Sequence, residues 1–96
     1  MNYKVKVAER VREFLNALPR EVRVQVYQRL LVDLPSDLSL LGSTVFPYAD
    51  KNTFPVIAYD KSPQRLRWWL VFIVDRGSPG ELHVESVRDG NESEPN

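Results

Sequence analysis

Residues 65–74 read RLRWWLVFIV: two arginines, two adjacent tryptophans, then an unbroken apolar run. Side chains alternate across a β-strand. A strand here puts Leu66, Trp68, Leu70, Phe72 and Val74 on one face, and Arg65, Arg67, Trp69, Val71 and Ile73 on the other. The first face is apolar throughout and is expected to lie under helices. The second begins with cations and an indole and then turns aliphatic. A strand apolar on both faces belongs inside a sheet. The stretch therefore predicts a central strand whose N-terminal end carries a basic and aromatic surface. Guanidinium groups hold phosphates and an indole stacks on a base, so such a surface suits single-stranded RNA. A plainer reading of the same residues has Trp69 covering a small cluster with Val71, Ile73 and Val87, and Arg65 and Arg67 as solvated strand ends.

The flanks supply two more strands. Thr53–Tyr59 is rich in β-forming residues, with Pro55 marking an edge position or a bulge. Asp60–Gln64 (DKSPQ) and Asp75–Gly80 (DRGSPG) are turns. Glu81–Val87 alternates, with Leu82, Val84 and Ser86 expected on one face and His83, Glu85 and Val87 on the other. Three strands joined by short turns predict an antiparallel meander. From residue 89 the tail is polar and acidic, and is expected to be disordered.

Upstream, YKVKV (Tyr3–Val7) alternates with period two: Tyr3, Val5 and Val7 against Lys4 and Lys6. The period then changes. Val11, Phe14, Leu15 and Leu18 fall at i, i+3, i+4 and i+7, one helical stripe, with Glu9 in the first turn. Leu18-Pro19 breaks the helix and starts a second. Its stripe is read as Val24, Tyr27, Leu30, Leu31 and Leu34, with Pro35 as the stop. Helices this short need an apolar surface to lie on. Pro35–Asn52 is a long turn-rich connection pinned by Leu38, Leu40 and Leu41. The fold class is α+β, in the order β-α-α-β-β-β. It is a small twisted antiparallel sheet with a helical hairpin on one face and the other face open for a site. Residues 1–88 are expected to form one domain and residues 89–96 the tail.

Composition narrows the function. Lys+Arg and Asp+Glu each number 13 in 96 residues, for a formal net charge of zero. That argues against a general nucleic-acid binder, which gains affinity by neutralising phosphates. A local basic patch remains compatible with it. With no cysteine there is neither a disulfide framework nor a thiolate metal site. No secretory signal follows Met1, and Trp68–Val74 is too short to span a bilayer. A cytoplasmic protein without a membrane partner is expected. No cofactor or metal is expected: the acidic residues lack ligand spacing, and no phosphate-cradling glycine loop is present. His83, the only histidine, lies two residues from both Glu81 and Glu85. A lone strand histidine is commonly a packing or surface residue, but this one is placed to transfer protons. Glu9–Glu13, Arg10, Arg12, Arg20 and Arg23 read as solvated helix faces.

As a set, these features resemble the RelE/ParE superfamily of toxins from type II toxin–antitoxin systems. The resemblance runs nearly end to end. It covers YKVKV, the hairpin with Phe14-Leu15…Leu18-Pro19…Val22-Arg23 and Leu30-Leu31…Leu34, then Leu41-Gly42, Arg67-Trp68-Trp69-Leu70-Val71-Phe72, and HVESVR ending at Arg88. It implies a toxin held by a cognate antitoxin, for which the Leu38–Phe46 segment and Trp69 are candidate docking surfaces. In the RelE-like branch it implies a metal-independent, ribosome-dependent mRNA endonuclease, in which a ribose 2′-OH attacks the next phosphate. Arg67 (or Arg65) and Arg88 fall where the family keeps arginines. With His83 standing in for an absent tail residue, Arg67, Arg88 and His83 are the candidate catalytic groups, and Lys61, Arg65 and Trp69 the candidate RNA-binding groups. Two alternatives follow from departures: Thr53–Tyr59 carries no lysine or arginine, and DGNESEPN carries no tyrosine or histidine. One is a ParE-like inhibitor of DNA gyrase; the other is a non-catalytic binding module on the same fold.

Overall fold

Five strands form one mixed sheet: β1 (Lys4–Val7), β2 (Gly42–Ser43), β3 (Lys51–Tyr59), β4 (Arg67–Asp75) and β5 (Glu81–Asp89), in spatial order β1-β5-β4-β3-β2. The structure, a computed structural model, describes residues 3–43, 51–60, 67–76 and 79–89. β4 is central, as its sequence requires, and is antiparallel to both β3 and β5. β1 joins the outer side of β5 in parallel, with Lys6 opposite His83 and Val7 opposite Val84. The meander is thus extended by a parallel edge strand that returns through the helices. Gly80, at φ 77° in the turn before β5, takes a left-handed conformation natural to glycine.

Two helices cover one face of the sheet. In α1 (Glu9–Asn16), Val11 and Leu15 are buried, with Leu18 just beyond it and Phe14 packed alongside. α2 (Arg20–Gln28) runs without a break into a π-helical turn (Arg29–Asp33) and a last α-turn, α3 (Leu34–Ser36). The buried stripe of this second segment is Val22, Val26, Leu30 and Leu34. Of the expected stripe, Leu30 and Leu34 are buried and Tyr27 packs against the core, while Val24 and Leu31 are not part of it. Val24 and Leu31 are exposed, at 59% and 47%. Strict four-residue spacing drifts around an α-helix, but the wider i→i+5 turn keeps Leu30 and Leu34 on the same side. Pro35 does not stop the helix. It sits buried in the last turn, where its ring would crowd the carbonyl of Leu31 in a regular α-helix. The π-turn immediately before it relieves that clash.

The core between the layers is apolar. Phe54, Val56, Leu70, Phe72, Leu82 and Val84 from the sheet meet the helix stripe, and no polar residue is buried among the described residues. Leu38, Leu40 and Leu41 close it at one side, as expected. A β-bulge changes β5. Val74 pairs with Val84 and Ile73 with Ser86, so Glu85 is the extra residue. Beyond the bulge the faces exchange. Val87 pairs with Phe72 and packs on the core, while Ser86 and Arg88 join the open face opposite Ile73 and Val71. The expected cluster of Trp69, Val71, Ile73 and Val87 therefore loses Val87, because one inserted residue reverses strand parity. Arg10 Nε donates a 2.7 Å hydrogen bond to the Glu85 carbonyl, fixing the bulge to α1.

Candidate functional site

The open face of the sheet is assembled from alternate residues of four strands. β4 contributes Arg67, Trp69, Val71, Ile73 and Asp75; β3 contributes Thr53, Pro55, Ile57 and Tyr59, with Lys51 at its start in register with Asp75. β5 adds Glu81 and His83 before the bulge and Ser86 and Arg88 after it, and β1 adds Lys4 and Lys6. Register fixes their rows. Arg67 lies opposite Tyr59, Trp69 opposite Ile57, and Val71 between Pro55 and Arg88. Arg67 and Arg88 are exposed and Trp69 is half-buried. Ile57 and Tyr59 are 50% and 62% exposed, large apolar side chains beside the indole. This end of the face carries the Arg67 cation beside Trp69 and Tyr59. Lys61 and Arg65 lie outside the described residues.

His83 is elsewhere. It pairs with Asp75 on one side and Lys6 on the other. Eight residues of β4 separate Arg67 from Asp75, roughly 26 Å at strand rise, and Arg88 is level with a point midway between them. Arg67 and His83 are therefore at opposite ends of the face. Arg88 stands between the two ends.

At the His83 end a compact ionic cluster forms. His83 Nε2 lies 3.0 Å from Glu81 Oε2, and Lys6 Nζ lies 3.3 Å from the same oxygen. His83, followed by Lys6, holds the Glu81 carboxyl below its usual pKa range by hydrogen bonding and charge. An ionised carboxylate only accepts hydrogen bonds, so the imidazole presents Nε2–H to it and keeps the lone pair of its neutral form on Nδ1. Sequence spacing pairs His83 with Glu81, but Lys6 arrives through the parallel β1–β5 contact, seventy-five residues away along the chain from Glu81. Nothing local in Tyr3–Val7 signals that neighbour. Among the described residues, no group of three or more His, Cys, Asp or Glu is arranged to hold a metal ion.

A second feature lies at the β3 edge. β2 reaches only Asn52 and Thr53, so among the described residues β3 has no strand neighbour on this side beyond them. Tyr59 turns its backbone N–H and C=O outward, and the Gln25 amide takes both: Oε1 accepts at 3.0 Å and Nε2 donates at 2.6 Å. Pro55, in the same phase of the ladder, has no N–H to leave unpaired there. Beside Gln25 is a groove of about 440 Å³ lined by Arg20, Glu21, Val24, Tyr59 and Asp60. On the helical layer Arg29 pairs with Asp33 at 2.9 Å and stands 5.4 Å over the Phe54 ring.

A helical hairpin on one face of a curled mixed sheet, with the opposite face open and charged, is an α+β architecture. It is a RelE-like toxin fold. Over 97% of this chain and 88% of the other, it is similar to the free state of an arginine-substituted mutant of E. coli toxin RelE, at a TM-score of 0.65 and 17% identity. No protein-family model matches the sequence, and no curated protein matches it by sequence.

Proposed function

We propose that this protein is the toxin of a type II toxin–antitoxin pair, acting in the cytoplasm as a RelE-like, ribosome-dependent mRNA endonuclease. The observation that carries this reading is the open face of a RelE-like fold bearing Arg67, Trp69 and Arg88 in successive rows. Arginines on such a face neutralise backbone phosphates, and the indole stacks on a base. Cleavage by 2′-OH attack needs a base for the hydroxyl, cations for the developing phosphorane charge, and a proton for the departing 5′-oxygen. Arg88 supplies charge toward the middle of the face, and His83 is the group suited to move protons. The natural occupant of the resting protein is a cognate antitoxin, which covers part of this surface. Among the described residues no helix is long and apolar enough to cross a membrane.

Gyrase inhibition is the second reading. It is favoured by the Thr53–Tyr59 part of β3, which carries no lysine or arginine to grip RNA; the strand's one cation, Lys51, stands at its start, in register with Asp75. Primer extension on a reporter mRNA after induced expression separates the two. New 5′ ends within translated codons, absent from the Arg67→Ala/Arg88→Ala chain, are the expected result. Intact mRNA with growth arrest and DNA damage assigns the gyrase reading instead; intact mRNA with normal growth assigns a binding module.

A further inference from the structure

We propose that Lys6, Glu81 and His83 form a proton-transfer centre, with Glu81 the positioning residue that sets the histidine tautomer and Lys6 the cation that meets the phosphate. This rests on the ribonuclease reading and specifies where on the open face its chemistry occurs. The scissile phosphate then sits at the β1–β5 end, and Arg67 and Trp69 grip the RNA farther along the strand.

Three observations lead here. First, strand geometry prevents Arg67 and His83 from touching one phosphate, because β4 keeps them roughly 26 Å apart. Binding and chemistry must occupy different ends. Second, both Lys6 and His83 converge on a single oxygen, Glu81 Oε2. Exposed ion pairs contribute little to stability, but two contacts on one oxygen define a geometry. A carboxylate bound to one imidazole nitrogen leaves the other as the proton acceptor, the arrangement that orients histidine in general-base catalysis. Third, the side chains are accessible, His83 at 40% and Lys6 at 50%. The charged groups facing His83 are Lys6 from β1, Asp75 from β4 and Glu81 on its own strand, with Lys4 and Glu85 one step further.

The step balances with these groups. Nδ1 of His83 takes the proton of a ribose 2′-OH as that oxygen bonds to the adjacent phosphorus. Lys6 offsets the added charge. The bond from phosphorus to the 5′-oxygen breaks, the leaving oxygen takes a proton from water, and His83 returns its own to the hydroxide so formed. The products are a 2′,3′-cyclic phosphate and a 5′-hydroxyl.

Because the chain has one histidine, ¹⁵N spectra of the labelled protein give a single pair of ring signals. The neutral ring should be protonated at Nε2, and Glu81→Ala should move both signals toward a mixed tautomer population. On translating ribosomes, Glu81→Gln should lower kcat at least about tenfold with KM little changed, and Glu81→Asp should recover part of it. Trp69→Ala should raise KM instead. An Nδ1–H tautomer in the native chain, ring signals indifferent to Glu81, or full kcat in Glu81→Gln overturns the centre while leaving the nuclease reading intact. Failure of the native chain to cleave mRNA overturns both.

Discussion

The two faces of β4 follow opposite rules within one nine-residue strand. Toward the helices, Leu70, Phe72 and Val74 are fully buried in a layer where, among the described residues, no polar or charged residue is buried. Toward the open side, Arg67, Trp69, Val71, Ile73 and Asp75 change from cation to indole to aliphatic to carboxylate along the strand. The helix face is specified by volume and desolvation, and the open face by the order of its charges. Substitutions on the first should act on stability and on the second on binding or proton transfer.

The largest expected effect tests that division. Phe72→Ala removes a wholly buried ring flanked by Phe54 and Val87 in register. It should cost about 3–5 kcal/mol, a large part of the stability of a domain this size. Trp69→Ala, on the opposite face and half-buried, should cost under about 2 kcal/mol because less buried apolar area is lost. Urea unfolding of both chains measures the difference. Equal losses would mean that Trp69 is part of a second core, and that the open face is not a surface held for a ligand.

A middle-sized effect concerns the β3 edge. Gln25 satisfies the outward N–H and C=O of Tyr59 as a neighbouring strand would, and its Nε2 also donates to the Glu21 carbonyl at 3.0 Å. Gln25→Ala should destabilise by about 1 kcal/mol and speed amide exchange at Tyr59 selectively. Unchanged protection at Tyr59 would show that the edge is closed by something other than this amide.

Which of these features the sequence discloses depends on whether the cause is local. β4 and the α1 stripe follow from periodicity, the meander from its short turns, and the pinning leucines from apolar residues set in a polar connection, all of them properties of adjacent residues. The stripe of the second helix does not, because the π-turn at Arg29–Asp33 answers Pro35 and changes which spacing faces inward. The face of Val87 does not either, since the inserted Glu85 is held by Arg10 from the first helix. At the site, Arg67, Trp69 and His83 stand out by residue type in a strand. Their separation into two ends requires knowing the β4–β5 register, and the arrival of Lys6 requires the parallel return of β1. Residue types are legible; distances set by non-local pairing are not.

The smallest effect is electrostatic and lies at the proton-transfer end. Glu81 has a folded-state pKa below its ordinary value, chiefly through His83 and then Lys6. A depressed carboxylate contributes to stability above its unfolded pKa, and that contribution fades as the pH falls through the folded value. The cluster should therefore be intact at neutral pH and lost only in acid, below the ordinary glutamate range. Carbon-detected titration of the Glu81 carboxyl follows this directly. His83→Ala should raise its midpoint toward the ordinary value by more than Lys6→Met does, since the histidine hydrogen bond is the larger cause. The reverse ranking would make Lys6 the principal partner of Glu81. The carboxylate would then serve as a counter-ion to the β1 edge, and the contrast between the faces would narrow to the basic and aromatic end alone.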